Sequence, residues 1–392
     1  MLWLDLLVLF IGGALFILLF TMAANLLIFP KLSSDNTINE DMLVSVLIPA
    51  RNEAAVIGET VSRLLAQRGV RFELLVMDDH SEDGTRDIAL QAADDDAQLR
   101  VLESQPIPTG WMGKSWACWQ LAQVAQGDVL IFTDADVQWE ADALASVVAQ
   151  MTQSDVDMVT VWSTQITETM AERLTVPLMA MVILGYLPTV MVHYSPFKAF
   201  AAANGQCMAW RREAYEAIGG HTSVANNVLD DVTMAHLAKE KGYRIRMVDG
   251  AGLVNARMYD GWQSARDGYA KNILAGYGNS VPALVAGGVF HWLVFLVPYG
   301  LLVLPDYRLA GVILLVMGFA LRAVSAFWTR QRVLDTLLMP LSVLIFTWIA
   351  GQSIYWHYTG GARWKGRVIS DAKSTQADII NTQKPIIRTD EG

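Results

Sequence analysis

The stretch Val44-Ser45-Val46-Leu47-Ile48-Pro49-Ala50-Arg51-Asn52-Glu53 decides the fold of this chain. Val44 to Ile48 is an uninterrupted β-favouring run of the kind buried in parallel sheets. Pro49-Ala-Arg-Asn-Glu53 ends that strand, and Ala54 to Gln67 reads as an amphipathic helix. The unit then recurs. Glu73 to Met77 is a second strand, closed by Asp78-Asp79-His80-Ser81-Glu82-Asp83-Gly84-Thr85, with Ser81 or Asp83 placed to cap the next helix. A third strand, Val129 to Phe132, runs into Thr133-Asp134-Ala135-Asp136. This alternation predicts an α/β fold with an open, mostly parallel, Rossmann-like sheet covered by helices on both faces. Ligands of such sheets sit beyond the carboxyl ends of the strands, where all three loops lie.

Outward from this unit the chain becomes apolar. Over 392 residues it is 53% hydrophobic and 17% charged, with a mean hydropathy of +0.32. That is too apolar for an ordinary soluble enzyme. The formal net charge of -10 excludes a nucleic-acid partner, because phosphate backbones select basic surfaces. Cys118 and Cys207 fit no metal-ligand spacing, and a reduced cytoplasmic domain is the simplest setting for them.

Leu6 to Phe29 carries no charged residue and is long enough to cross a bilayer. It lacks a basic leader and a small-residue cleavage site, so it reads as a retained anchor. Val281 to Leu304, Leu309 to Trp328 and Thr336 to Trp356 are three further spans, with Arg322 expected to snorkel to the headgroups. The expected organisation is an anchor (1–30), a catalytic domain (31–280), C-terminal membrane helices (281–358) and a polar tail (359–392). Lys31, Arg330 and Arg332 favour a cytoplasmic catalytic domain. Four spans would put Arg363, Lys365 and Arg367 outside, so either one segment is re-entrant or interfacial, or the tail breaks the rule. Leu174 to Val192 is uncharged and interrupted by Pro177 and Pro188. It reads as a core helix pair or as a membrane-apposed segment that guides a lipid.

Three acidic clusters carry the chemistry. Asp134 and Asp136, two apart in an extended segment, face one side and can hold Mg2+ or Mn2+ together with phosphate oxygens. Asp78-Asp79 can accept from a base N–H or a ribose hydroxyl, or can serve ordinary turn chemistry. Arg51 and Glu53 suit base, phosphate or ribose contacts, or a surface ion pair. Gly110-Trp111-Met112-Gly113-Lys114-Ser115-Trp116 reads as a structured loop with Lys114 suited to a phosphate. Asp230-Asp231 starts a helix running to Gly242, where acids are favoured by the helix dipole and one can also serve as a base. Asn204-Gly-Gln206 and Gly219-Gly220-His221 place flexible backbone nearby, and His221 reads as structural.

The ordered series Pro49-Ala-Arg-Asn-Glu53, Asp78-Asp79-x-Ser81, Gly110-Trp-x-Gly-Lys114, Asp134-x-Asp136 and Asp230-Asp231 resembles the family 2 inverting glycosyltransferases of GT-A fold. The Gly-Trp-x-Gly-Lys element, the late spans and Trp364-Lys-Gly-Arg367 resemble the branch that glycosylates membrane lipids, including ceramide, hopanoid-associated and carotenoid glycosyltransferases. That resemblance implies a uridine pocket of Ala50, Arg51, Glu53 and Asp79, with Asp78 beside it. It implies Lys114 on the diphosphate, and Asp134 and Asp136 on ribose, metal and diphosphate. It implies Asp231, supported by Asp230, as the base on the acceptor, with inversion at the anomeric carbon. A UDP-sugar donor, UDP-glucose foremost, and an acceptor among carotenoid, hopanoid, sphingolipid and glycerolipid follow from it. So does a place in a bacterial-type cell membrane. One motif departs: Gln263-Ser-Ala-Arg266 is followed by Asp267 instead of Trp, with Trp262 ahead of it. Gln263 and Arg266 remain candidates for the diphosphate, while a processive polysaccharide synthase is disfavoured. A non-catalytic membrane assembly or transport protein is the reading from a different class, and the intact acids oppose it.

Overall fold

In a computed structural model of the protein, residues 2–33, 42–359, 362–364 and 367–369 are described. The chain opens with α1 (Leu2–Ile28). The sheet region follows as β1 (Leu43–Ala50), α2 (Ile57–Leu65), β2 (Arg71–Asp78), α3 (Thr85–Ala93), β3 (Leu99–Glu103), α4 (Gly113–Val124) and β4 (Val129–Thr133). It continues through β5 (Val137–Trp139), α5 (Ala143–Gln153), β6 (Met158–Trp162) and β7 (Thr164–Gln165). Next come α6 (Met170–Tyr186), α7 (Thr189–Tyr194), β8 (Cys207–Arg211), α8 (Arg212–Ala217), α9 (Asp230–Glu240), β9 (Ile245–Asp249), β10 (Val254–Ala256) and α10 (Gly261–Gly276). The last part holds α11 (Val281–Phe295), α12 (Val297–Leu301), α13 (Arg308–Trp328), α14 (Met339–Thr359), β11 (Ala362–Trp364) and β12 (Arg367–Ile369).

The main sheet has the order β3-β2-β1-β4-β8-β6-β9. β1 pairs in parallel with β2 and β4, and β6 with β9, while β8 runs antiparallel between β4 and β6. The expected mostly parallel α/β sheet is therefore present. β3, β6, β8 and β9 enlarge it beyond the three strands read from the sequence. β1 alternates between two cores: Val44, Val46 and Ile48 pack on one face, and Leu47 on the other with Leu75, Phe132 and Leu121. That second core continues without a break into Ile11, Leu15 and Leu18 of α1 and Leu314 and Leu321 of α13. The sheet and the long apolar helices thus share one apolar interior.

Among the described residues, four helical segments are long and apolar enough to cross a membrane: Leu2–Ile28, Val281–Leu301, Pro305–Trp328 and Val333–Thr359. The second breaks at Leu296, just before Pro298, whose ring cannot donate to the preceding turn. Asn25, buried in α1, binds the junction of α6 and α7. Its amide donates to Leu184 O and Leu187 O, both at 2.7 Å, and accepts from Thr189 N at 2.8 Å. The Leu174–Val192 stretch forms most of α6 and most of α7, with α6 packed against α1, α10, α13 and α14. At the end of α1, Lys31 lies over the Trp328 ring at 3.6 Å, and Pro30 and Leu32 bond to Asp249 of β9.

Two expectations need correction. Arg322 does not snorkel: it is buried, donating to Ser342 Oγ at 2.9 Å and Arg173 O at 3.2 Å, because α6 and α14 pack over it. Neither Ser81 nor Asp83 is the N-cap of α3, which is Gly84 at φ 87°. Asp83 instead accepts from Thr85 N inside the first turn, and Ser81 Oγ accepts from Asn52 N across the loops. Of the Trp364-to-Arg367 motif, residues 365 and 366 lie outside the described residues, as does the tail from Ser370. β11 packs against α10.

Candidate active site

A cleft of about 790 Å3 opens at the carboxyl ends of β1, β2 and β4, a size suited to a nucleotide-linked ligand. Ala50, Arg51, Glu53 and Asp79 line it, together with Lys114, Asp134, Asp136, Asp230 and Asp231. The first two loops are laced together. Arg51 Nη1 donates to Asp79 O at 2.5 Å, Asp79 N to Ala50 O at 2.8 Å, and Glu53 N to Thr85 Oγ1 at 2.8 Å. Asn52 takes a positive φ of 52° to let this loop turn back.

Lys114 stands in the first turn of α4, a helix where the sequence suggests a loop, and pairs with Asp134 Oδ1 at 2.5 Å. Burial opposes its charge, yet Asp134 and Asp230 hold its pKa above the usual lysine range. No side chain caps α4, and Met112, Gly113 and Ser115 at its start also line the cleft.

Asp134-Ala-Asp136 is a turn and not an extended segment, closed by Val137 N donating to Asp134 O at 3.3 Å. The two carboxylates still share the cleft. Burial, then Asp134 and Glu53, push the Asp136 pKa up to about 7. Its Oδ1 is buried with no hydrogen-bond partner among the described residues. Among those residues no group of three or more His, Cys, Asp or Glu side chains forms a ready-made metal cage. Two hard carboxylates with an orphaned oxygen fit Mg2+ or Mn2+, which usually completes its shell with substrate phosphates and water.

Asp231 lies in the first turn of α9. Its Oδ1 accepts from Val232 N and its Oδ2 from Gly205 N, each at 2.8 Å. Gly205 is tightly placed: a Cβ there would lie 3.3 Å from Asp231 Oδ2. Burial, then Asp230, raise the Asp231 pKa to about 6. Asn204 and Gln206, flanking Gly205, are held by Ser163, Thr160 and Thr133, so this segment is fixed where the sequence reads as flexible. His221 is buried against Phe132 and bonded to Tyr215, and burial, then Lys114, lower its pKa to about 3.

Three candidates fall outside the cleft. Asp78, the last residue of β2, is buried and does not line the cleft. Gln263 is exposed, and Arg266 Nε donates to Asp267 at 2.7 Å. On α10 the cleft-facing residues are instead Ser264, Gly268, Lys271 and Asn272. Tyr259 and Arg257, which also line the cleft, carry no motif that marks them in the sequence.

Residues 45–219 match the profile of glycosyl transferase family 2. Over that stretch the chain is similar to the family 2 glycosyltransferases. A 4,4'-diaponeurosporenoate glycosyltransferase from Staphylococcus aureus is 28% identical over 344 residues, covering 84% of this chain and 89% of the relative. Among solved structures, a mannosyltransferase from Pyrobaculum calidifontis in complex with GDP-Man and Mn2+ superposes with a TM-score of 0.54 at 20% identity. That alignment covers 91% of this chain and 99% of the other, and it supports the GT-A fold of the transferase.

Proposed function

We propose that the transferase moves a sugar, glucose foremost, from a UDP-sugar to an apolar membrane lipid of carotenoid type, with inversion. The observation that carries this reading is the placement of Asp231: a half-buried carboxylate of pKa about 6 that lines one cleft with Lys114 and Asp134. Such a group is ionised at neutral pH and basic enough to take a proton.

Ala50, Arg51, Glu53 and Asp79 hold the nucleoside. Asp134 and Asp136 hold a divalent cation, and Lys114 with the start of α4 receives the diphosphate. The cation, when bound, neutralises charge on the diphosphate. A hydroxyl acceptor gives its proton to Asp231 as its oxygen bonds the anomeric carbon, whereas a carboxyl acceptor bonds that carbon through its carboxylate oxygen. The bond from that carbon to the β-phosphate oxygen breaks on the opposite face, and its electron pair leaves with UDP. The relative's carotenoid-type substrate and the apolar interior shared by sheet and membrane helices support a lipid acceptor. The catalytic domain is assigned to the cytoplasmic face.

Full-length protein in lipid nanodiscs, given UDP-glucose, Mn2+ and a carotenoid acceptor, tests this reading. A single lipid-extractable hexoside is expected by mass spectrometry. Long polysaccharide products, or no transfer from any nucleotide sugar, would refute it.

A further inference from the structure

α10 has two working faces. Ser264, Gly268 and Lys271 stand at i, i+4 and i+7, so they form one stripe, and all three line the cleft. The other face is clamped by α14, with Trp262 stacked on Trp348 and Tyr269 against Phe346. Gly268 fixes the rotation between these faces. A Cβ there would lie 2.2 Å from a ring carbon of Tyr259, so only glycine allows this approach. The same rotation leaves Gln263 exposed and Arg266 bonded to Asp267. The cation that α10 delivers to the cleft is therefore Lys271.

Its surroundings are unusual for a lysine. Burial, then the neighbouring charge of Lys114, lower its pKa to about 8, against the pull of Asp230, Asp134 and Asp231. Two ammonium groups brought into one cleft repel each other, and a polyanion between them relieves that repulsion. Next along the helix, Asn272 also lines the cleft. Its Oδ1 is buried and has no hydrogen-bond partner among the described residues, so this turn presents both a cation and an unused acceptor.

We propose that Lys271 is the second ammonium, with Lys114, that contacts the leaving diphosphate, in the role the motif assigns to Arg266. The inference rests on the nucleotide-sugar reading above. When the bond between the anomeric carbon and the β-phosphate oxygen breaks, the electron pair stays on that oxygen. Lys271 faces the added charge across the cleft from Lys114, and this stabilisation grows as the bond breaks.

The test uses full-length protein in nanodiscs with UDP-glucose and Mn2+, comparing Lys271→Met, Lys271→Arg and Arg266→Ala. Lys271→Met should lower kcat on the order of 100-fold, as loss of one charge-stabilising donor does. It should also weaken Mn2+-dependent UDP binding by calorimetry, while its thermal transition stays at the wild-type value. Lys271→Arg should recover much of the loss, which a merely structural role would not predict, and Arg266→Ala should stay within about threefold of wild type. Wild-type kcat and UDP affinity in Lys271→Met, or equal losses in Arg266→Ala, would overturn the assignment. A wild type that binds UDP while Lys271→Met binds it equally well condemns the Lys271 role alone. A wild type that binds no UDP condemns the donor reading and the role with it.

Discussion

Gly205 N donates to Asp231 Oδ2 at 2.8 Å, tying the candidate base on α9 to the entry of β8. The second oxygen of Asp231 is held by Val232 N at 2.8 Å, so the carboxylate has a fixed orientation before any acceptor arrives. Preorganisation of this kind is what a general base requires.

The pH profile follows from the same geometry. A base must be ionised, so kcat should fall as pH drops through about 6, the raised value of Asp231. Burial is the larger cause and Asp230 the next. Asp230→Asn removes the like charge and should move this acidic limb to lower pH. A limb that does not move in Asp230→Asn would show that another group controls it.

Metal binding should be pH-dependent as well. The Asp136 pKa of about 7, raised by burial and then by Asp134 and Glu53, means that a cation must displace a proton near neutrality. Mn2+-dependent UDP binding should weaken as pH falls below about 7. Asp136→Ala should weaken it by about 10- to 100-fold at pH 7.5, the range typical of losing metal-site support. Calorimetry with UDP and Mn2+ measures both effects.

Glu172 is a structural counterpart. Its fully buried carboxylate accepts from Arg257 Nη2 at 3.0 Å, Gly261 N at 2.8 Å and Glu168 N at 2.7 Å, joining α6 to the start of α10. Burial works against its charge, but Arg257 and the backbone N–H groups hold its pKa down at about 2. A depressed folded value contributes stability above the unfolded pKa, near 4.5, and loses it progressively as pH falls towards 2. Glu172→Ala leaves Arg257 and Gly261 N without this partner and should cost about 3 kcal/mol. Thermal unfolding at pH 7 and pH 4 should show the variant's deficit shrinking at the lower pH.

Much of this was legible from local pattern. The buried runs at Val44, Leu74 and Val129 are strands because β-branched and aliphatic residues dominate them, with Ser45 the one polar residue within Val44 to Ile48. β3, Leu99–Glu103, escaped because it is a half-exposed edge strand containing Arg100 and Glu103. β8 pairs in reverse between β4 and β6, a choice made by distant partners rather than by its own residues. The acidic clusters were readable because loops at strand ends converge by topology. The phase of α10 was not: a contact between Gly268 and Tyr259 sets it, and it exchanges Arg266 for Lys271 at the cleft. Arg322 misled for a related reason, since packing by α6 and α14 decides whether a cation reaches the membrane surface.

The most direct measurement is transfer by Asp231→Asn, with UDP-glucose, Mn2+ and the lipid acceptor, beside its affinity for UDP and Mn2+. The account predicts that transfer falls on the order of 1,000-fold, as loss of a general base does, while UDP binding stays close to wild type. Full transfer by Asp231→Asn would contradict the assignment of the base, and with it the central claim.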